Sequence, residues 1–247
     1  MSIHDEKDLI GILRTGKFVA KVRDLLVASA KPGMSTKELD QIAREEFEKE
    51  GALSAPKFDY QFPGYTCISV NHEVAHGIPS DETILQEGDL VNVDVSAKLD
   101  GYYADTGISF TIGKSKPILE NLCRAAKQST MEAIGQARTG NYLRNLGKMM
   151  HRSAKENGFT VIKNLAGHGT GRKLHEEPQV LVYEDKKDNR KLSNGLVLAI
   201  ESFVSTGSEF AYEAEDGWTL VTADKSYVAQ YEHTVIVCKD KAIIATL

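Results

Sequence analysis

Four carboxylates and one imidazole stand in segments of this chain where an isolated charge would be costly to bury. Asp94, Asp105, Glu201 and Glu232 lie in apolar, strand-like segments, and His168 lies between glycines. Burying any one of them alone would cost several kcal/mol, so a shared counter-charge is expected. Two divalent cations would cancel the four negative charges and leave a bridging hydroxide as the reactive species. These residue types therefore predict a metal-dependent catalytic centre.

The same donor set indicates which metals to expect. Oxygen-rich ligation with a single nitrogen suits manganese, iron or cobalt better than a dedicated structural zinc site. Two such ions about 3.5 to 4 Å apart can polarise a carbonyl group and lower the pKa of the water between them. The expected cofactor is two divalent metal ions per chain (Co, Mn, Fe or Zn), with the identity of the metal left open.

The spacing of the two aspartates predicts that one hairpin brings them together. Asp100-Gly101 lies between two alternating strand-like runs, which is typical of a two-residue turn. With that turn, Asp94 faces Gly107 and Asp105 faces Ser96, so both aspartates share one face as diagonal neighbours. Diagonal neighbours are roughly 7 to 8 Å apart at the backbone, a separation that suits a cation held between carboxylates. Each aspartate alone could instead be a solvated strand end.

Hydrophobic periodicity and capping signals predict two helices before this hairpin and two after it. The first pair covers residues 6–30 and a segment opened by the capping-box pattern at Ser35 and closed by Gly51. The second pair covers 117–136 and 141–158. Matching residues are separated by 107 positions in each of four pairs: Gly33 and Gly140, Gly51 and Gly158, Gly88 and Gly195, Asp94 and Glu201.

The repeat predicts an α+β fold in which one catalytic domain, residues 1–247, is built from two pseudo-symmetric halves, roughly 5–112 and 117–240. The strands that end in Asp94 and Glu201 would be equivalent, so their acids would meet near the pseudo-axis. Glu232 is expected to take the place in the second half that Asp105 takes in the first. Its strand comes later because a longer hairpin containing Trp218 is inserted.

Composition excludes several classes of protein. The 247 residues are 41% hydrophobic, and no window approaches the ~20 apolar residues of a membrane span. The start of the chain has no signal-peptide core, so a cytoplasmic location is expected. A net charge of −5 without a basic cluster argues against a membrane surface or specific nucleic acid as partner. Cys67, Cys123 and Cys238 are expected to be free thiols.

Seven segments, in order from the first helix to the last strand, resemble those of the type I methionine aminopeptidases. They are Asn71-His-Glu-Val-Ala-His76-Gly-Ile-Pro79, Asn92-Val-Asp94, Tyr103-Ala-Asp105-Thr, Gly167-His168-Gly-Thr-Gly, His175-Glu-Glu-Pro178, Ala199-Ile-Glu201 and Gln230-Tyr-Glu232-His-Thr. The resemblance implies a pita-bread fold around a central dinuclear metal site. It also implies an aminopeptidase that removes the initiator methionine from nascent proteins and small peptides, acting as a monomer with transient ribosome contact.

The resemblance also implies a role for each ligand position. Asp94 would chelate one metal ion, and His168 and Glu201 would chelate the other. Asp105 and Glu232 would bridge the two ions. The hydroxide between them would attack the scissile carbonyl while one metal binds the free α-amine.

The remaining site residues follow from the same resemblance. His76 and His175 would contact the substrate, with His175 steadying the oxyanion and Glu201 relaying the proton. A polarisable, aromatic-lined pocket suits the thioether of methionine, and the residues expected to form it are Phe62, Cys67, Leu174, Trp218 and, less directly, Tyr60. Trp218 could alternatively be a hairpin residue packed on the core, and Cys67 an inert buried thiol.

Rival interpretations depend on features that this sequence lacks. An Xaa-Pro aminopeptidase or dipeptidase of the same fold would use much the same ligands, but usually carries an extra N-terminal domain. A non-catalytic binding protein of this fold would be expected to have lost ligands, and none is lost. His72-Glu-Val-Ala-His76 matches a zincin motif, but that motif requires a helix, and strand-like residues precede this segment.

One departure from the family pattern follows Glu201. Relatives usually have proline at the next position, and this chain has Ser202. Proline would fix the backbone angle, so serine is expected to loosen the strand slightly and to alter rate or metal preference.

Overall fold

The computed structural model describes all residues 1–247 and contains five helices. They are α1 (Glu6–Ser29), α2 (Thr36–Glu50), α3 (Ala55–Tyr60), α4 (Pro117–Ile134) and α5 (Arg144–Glu156). The capping box predicted at Ser35 is confirmed: its hydroxyl accepts from the backbone N–H of Glu38, whose carboxylate accepts from the N–H of Ser35. Gly51 ends α2 in the left-handed conformation with φ of 72°. The short helix α3 was not predicted.

Thirteen strands form two sheets. The strands are β1 (Leu53–Ser54), β2 (Cys67–Val70), β3 (Glu73–Ala75), β4 (Leu90–Leu99), β5 (Tyr102–Thr111), β6 (Thr160–Val161), β7 (Ala166–Gly169), β8 (Glu176–Leu181), β9 (Val197–Ser205), β10 (Tyr212–Glu213), β11 (Leu220–Val221), β12 (Val228–Ile236) and β13 (Ile243–Ile244). The main sheet runs β1-β4-β5-β12-β9-β7-β8, with β2 on β4, β6 on β9 and β13 on β12. A small sheet, β10-β11-β3, lies beside it. No helix combines the length and apolarity needed to cross a membrane.

The hairpin formed by β4 and β5 has the predicted register. Asp94 is opposite Gly107 and Ser96 is opposite Asp105. The turn residues Asp100 and Gly101 both have positive φ, 51° and 82°, as a two-residue turn between twisted strands requires. The prediction that two aspartates share one face of one hairpin is therefore confirmed.

The 107-residue repeat is present in the backbone conformation as well as in the spacing. The three pairs of repeated glycines have closely similar positive φ angles: 86° and 85° at Gly33 and Gly140, 72° and 82° at Gly51 and Gly158, and 89° and 81° at Gly88 and Gly195. Each half carries a helix pair followed by a strand that bears one of the acids, Asp94 on β4 and Glu201 on β9. The predicted pseudo-symmetric α+β architecture is confirmed.

Strand alternation separates the core of each half from the acids. On β4, Val93 packs in the core cluster formed with α1 and α2, so the adjacent Asp94 points to the opposite face. On β9, Ile200 packs with α4 and α5, and Glu201 points away from them. The helices therefore cover one face of the main sheet, and the acids of both halves gather on the other.

The register of β12 differs from the expectation for Glu232. Glu232 lies directly opposite Glu201, which is the position that Gly107 holds relative to its own partner acid. Gln230, two residues earlier, takes the position of Asp105. The prediction of a matched place for Glu232 was wrong because a long connection through β10 and β11, and no two-residue turn, sets this register.

Candidate active site

Three of the predicted ligands form a compact group of potential metal donors. One ligand atom from each of Asp105, His168 and Glu232 lies within 4.8 Å of the others. His168 is on β7, whose pairing with β9 brings the imidazole beside Glu201. Its Nε2 is 3.8 Å from an oxygen of Asp105 and 3.8 Å from an oxygen of Glu201. This spacing is too long for hydrogen bonds and leaves room for a cation between the donors.

Gln230 connects Asp94 and Glu201 to this group. Its side-chain nitrogen is 3.2 Å from Asp94 Oδ2, 3.0 Å from Glu201 Oε2 and 3.4 Å from Glu232 Oε2. Sequence reasoning gave Gln230 no role. The available signal was its position two residues before Glu232, because alternate residues of a strand share one face.

The four carboxylates are buried close together, and the pKa of each is raised. Burial, opposed in part by a hydrogen bond from Gln230, raises the pKa of Glu201 to about 8. Burial and the neighbouring carboxylates raise the pKa values of Asp105 and Glu232 well above their usual range, and burial raises the pKa of Asp94. Burial lowers the pKa of His168 to about 3, so the imidazole is neutral and able to ligate.

The donor set fits divalent cations. No lysine or arginine forms an ion pair with these carboxylates, and the His168 ring beside them is neutral. Oε1 of Glu232 is buried and has no hydrogen-bond partner. The site thus offers four carboxylates, one neutral imidazole and a carboxylate oxygen without a partner. This donor set suits divalent cations.

Hydroxyl groups hold Asp105 in place. Ser96 donates a hydrogen bond of 2.7 Å to its carboxylate. Thr234 accepts from its backbone N–H and donates to its backbone carbonyl, both at 2.8 Å. These contacts fix both the side chain and the strand at this position, as ligand-orienting groups around metal sites do.

One cavity brings the predicted residues together. Its lining includes all five predicted ligands, His76 and His175, and the five residues expected to bind methionine: Tyr60, Phe62, Cys67, Leu174 and Trp218. Pro56, Ala75, Ser96 and Phe203 also line the cavity and were not predicted. The rings of Phe62 and Trp218 meet edge to face with centroids 5.2 Å apart. An apolar recess therefore adjoins the acid cluster directly.

The two predicted substrate histidines both line this cavity and come from distant segments of the chain. His76 follows β3 and has a positive φ of 56°, which is uncommon outside glycine. His175 precedes β8, and its ring centroid is 4.3 Å from that of His168. Burial lowers the pKa of both histidines, so both are neutral at pH 7. Since β3 lies between His72 and His76, the zincin motif has no helix and is excluded, as expected.

Ser202, where the absence of proline was expected to loosen the strand slightly, makes buried polar contacts with α4. Its hydroxyl is buried, lies 2.8 Å from the hydroxyl of Thr130, and donates to the carbonyl of Ala126 at 3.0 Å. Thr130 in turn donates to the carbonyl of Tyr231. Serine therefore ties β9 to α4 through a hydrogen bond that proline could not make, and Thr130 ties α4 to β12.

Comparison with known proteins places these features in a family. The model of metallopeptidase family M24 matches residues 11–239. The chain is 48% identical to methionine aminopeptidase 2 of Bacillus subtilis, covering 100% of this chain and 99% of that protein. It is 38% identical to the methionine aminopeptidase of Escherichia coli, covering 100% and 94%.

Solved structures agree with the sequence matches. The methionine aminopeptidase of Thermotoga maritima superposes with a TM-score of 0.96 at 33% identity, covering 100% of this chain and 99% of that one. The prolidase of Pyrococcus horikoshii shares the fold, with a TM-score of 0.78 at 20% identity, and this chain covers 63% of it. The chain has the pita-bread fold and belongs to metallopeptidase family M24, among the methionine aminopeptidases.

Proposed function

We propose that this protein is a metalloaminopeptidase that removes the N-terminal methionine from nascent proteins and small peptides. The observation that carries the proposal is the single cavity in which four carboxylates and His168 adjoin an apolar recess lined by Phe62 and Trp218. The acids supply a place for catalytic cations, and the recess supplies a place for one unbranched apolar side chain. Full-length similarity to methionine aminopeptidases supports the same substrate.

The residues proposed to hold the cations are Asp94, Asp105, His168, Glu201 and Glu232. Divalent ions bound there would polarise the scissile carbonyl and activate a water molecule. Co, Mn, Fe and Zn are all compatible with this donor set, and two ions per chain would balance its four negative charges.

The chain's own side chains would act around the scissile bond. His175 would donate a hydrogen bond from Nε2 to the oxyanion, which is supported by the contact of its Nδ1 with the hydroxyl of Tyr60. Glu201, which lies beside His168 in the cavity, would relay the proton. His76 also lines the cavity and would contact the substrate. Phe62 and Trp218 would orient the methionine side chain.

The proposal extends to organisation and setting. We propose that residues 1–247 form one catalytic domain, which is supported by the direct pairing of β5 with β12 across the two halves of the main sheet. We also propose action as a monomer in the cytoplasm on emerging N-termini, with transient contact to the ribosome.

An Xaa-Pro aminopeptidase or dipeptidase is the second candidate. The likeness to the prolidase establishes a shared fold and no more. The sequence identity is 20%, and more than a third of that chain has no counterpart here. No feature of the cavity favours proline over methionine, whereas an aromatic recess favours a thioether.

The test compares the peptides that the protein cleaves after its metals have been removed and replaced by Mn, Fe, Co or Zn. Methionine release from Met-Ala-Ser is expected with at least one metal, together with much slower cleavage of a Gly-Pro peptide. Absence of methionine release with every metal would refute the proposal. Preferential cleavage of Gly-Pro would favour the second candidate.

A further inference from the structure

The side-chain amide of Gln230 lies at the centre of the acid cluster. The residue is 2% exposed, and its NH2 group faces Asp94, Glu201 and Glu232 at 3.0–3.4 Å. It is the one neutral donor that reaches acids of both halves of the fold. The amide has two N–H groups and faces three carboxylates, so it cannot make a full hydrogen bond to each of them. The three carboxylates share its two hydrogens.

The orientation of this amide is fixed from behind. Its carbonyl oxygen accepts a hydrogen bond of 2.9 Å from the side chain of Asn92. The backbone N–H of Gln230 donates to the hydroxyl of Ser109 at 2.9 Å, and Asn92 also contacts that hydroxyl at 3.2 Å. If the amide turned over, its oxygen would face the oxygens of three carboxylates and its NH2 group would face the NH2 group of Asn92. Asn92 therefore holds the donor end of Gln230 toward the acids.

Gly107 provides the space that the amide occupies. A Cβ added at Gly107 would lie 2.5 Å from the side-chain oxygen of Gln230. Gly107 is directly opposite Asp94 on the paired strand, so any side chain there would enter the acid cluster. The backbone at Gly107 is not in the left-handed region, so the need for glycine at this position comes from space and not from φ.

We propose that Gln230 is a positioning residue for the metal centre: its amide holds the carboxylates of Asp94, Glu201 and Glu232 in the arrangement that receives the cations. Asn92 acts through Gln230 by fixing its orientation, and Gly107 acts by leaving room for it. This inference rests on the proposed function, because it assigns Gln230 a task only if the acids bind metal.

The broken symmetry between the halves supports this role. Gln230 stands at the register position that Asp105 occupies in the first half. An acid there would bring a fifth carboxylate into the cluster, and two divalent cations would no longer balance the charge. An amide at that place keeps the charge at four and replaces an acceptor with a donor, which reduces repulsion between the remaining acids.

The experiment measures Mn²⁺ affinity of metal-stripped protein by isothermal titration calorimetry and by the electron paramagnetic resonance signal of free Mn²⁺. Removing a group that orients metal ligands typically weakens binding by about 10- to 100-fold, and that range is expected for Gln230→Leu. Asn92→Leu should weaken binding in the same direction. The double variant should be no weaker than Gln230→Leu alone, because Asn92 acts through Gln230.

A second variant and a control guard against an effect of folding. Gly107→Ala keeps every polar group of the site and should weaken binding by displacing the amide, so it tests the idea even if Gln230→Leu does not fold. Ser129→Ala removes a buried hydrogen bond to the carbonyl of Met150, between α4 and α5. It should lower thermal stability without changing Mn²⁺ affinity.

The outcomes are distinguishable. Wild-type affinity in Gln230→Leu, or effects of Gln230→Leu and Asn92→Leu that simply add, would overturn the inference while leaving the metal centre standing. Wild-type protein that binds no Mn²⁺, Fe²⁺, Co²⁺ or Zn²⁺ would overturn the proposed function and this inference with it.

Discussion

The hydroxyl of Tyr60 lies 2.7 Å from Nδ1 of His175. Tyr60 is the last residue of α3, and the preceding Asp59 accepts a hydrogen bond of 3.0 Å from Tyr103 on β5, which anchors the short helix beside the cavity. Burial raises the pKa of Tyr60 and lowers that of His175, so a neutral phenol meets a neutral imidazole. The phenol can donate to Nδ1 and so keep the histidine proton on Nε2.

Tyr60→Phe should therefore slow the reaction without emptying the pocket. Losing one hydrogen bond costs about 0.5–1.5 kcal/mol, so kcat/KM for Met-Ala-Ser should fall about 2- to 10-fold. The fall should lie mainly in kcat, because the ring that lines the cavity is retained. His175→Ala, which removes the donor itself, should cost about 100-fold or more. Unchanged kcat in Tyr60→Phe would show that the contact does not orient His175.

The stability of metal-free protein should fall as pH rises from about 6.5 to about 8. The pKa of Glu201 rises from 4.5 to about 8 on folding, so in this range the folded state binds more protons than the unfolded state. The free energy of unfolding must then decrease with increasing pH. The pKa values of Asp105 and Glu232 are also raised and act in the same direction.

The lower limit of that window is set by histidine. Burial lowers the pKa of His168 and His233 to about 3, so below pH 6.5 their protonation in the unfolded state opposes the carboxylate effect. Chemical denaturation of chelator-treated protein across pH 6.5–8 measures the slope directly. Protein saturated with Mn²⁺ should show a flat profile, because bound cations hold the carboxylates ionised. A rising slope in the metal-free protein would contradict the electrostatics of the site.

The sequence could predict those parts of the site that local rules govern. The Asp100-Gly101 turn fixed the register of Asp94 against Gly107 because a two-residue turn leaves no freedom in the pairing. Glu232 had no such turn, and its register could not be derived. The contacts of the Gln230 amide with the three carboxylates were not predictable either, since they depend on which strands become neighbours in the sheet.

The same limit applies to the mouth of the cavity. Helix α3 is only six residues long, too short for periodicity to reveal it. The contact of Tyr60 with His175 joins residues 115 positions apart. The family resemblance placed Tyr60 in the cavity, but only the fold supplies its hydrogen-bond partner.

Ser202→Ala should destabilise the protein by about 1–2 kcal/mol, because the buried hydroxyl contacts both Thr130 and the carbonyl of Ala126. For a chain of this size the melting temperature should fall by roughly 2–4 °C per kcal/mol. Ser153→Ala is the matched control: its hydroxyl is buried without a hydrogen-bond partner, so its removal should be neutral or stabilising. Equal effects of the two substitutions would show that the Ser202 contacts do not stabilise the fold.

Asp94→Asn should abolish methionine release while leaving the fold intact. Asparagine keeps the shape of the side chain and an oxygen that can accept from Gln230, but it removes one of the four charges that attract the cations. Because burial already raises the pKa of Asp94, the neutral side chain should not lower the stability of the metal-free protein. Methionine release from Met-Ala-Ser and urea denaturation measure the two effects separately. Asp81→Asn, an exposed change of the same chemistry, should alter neither, and full activity in Asp94→Asn would show that this carboxylate does not bind metal.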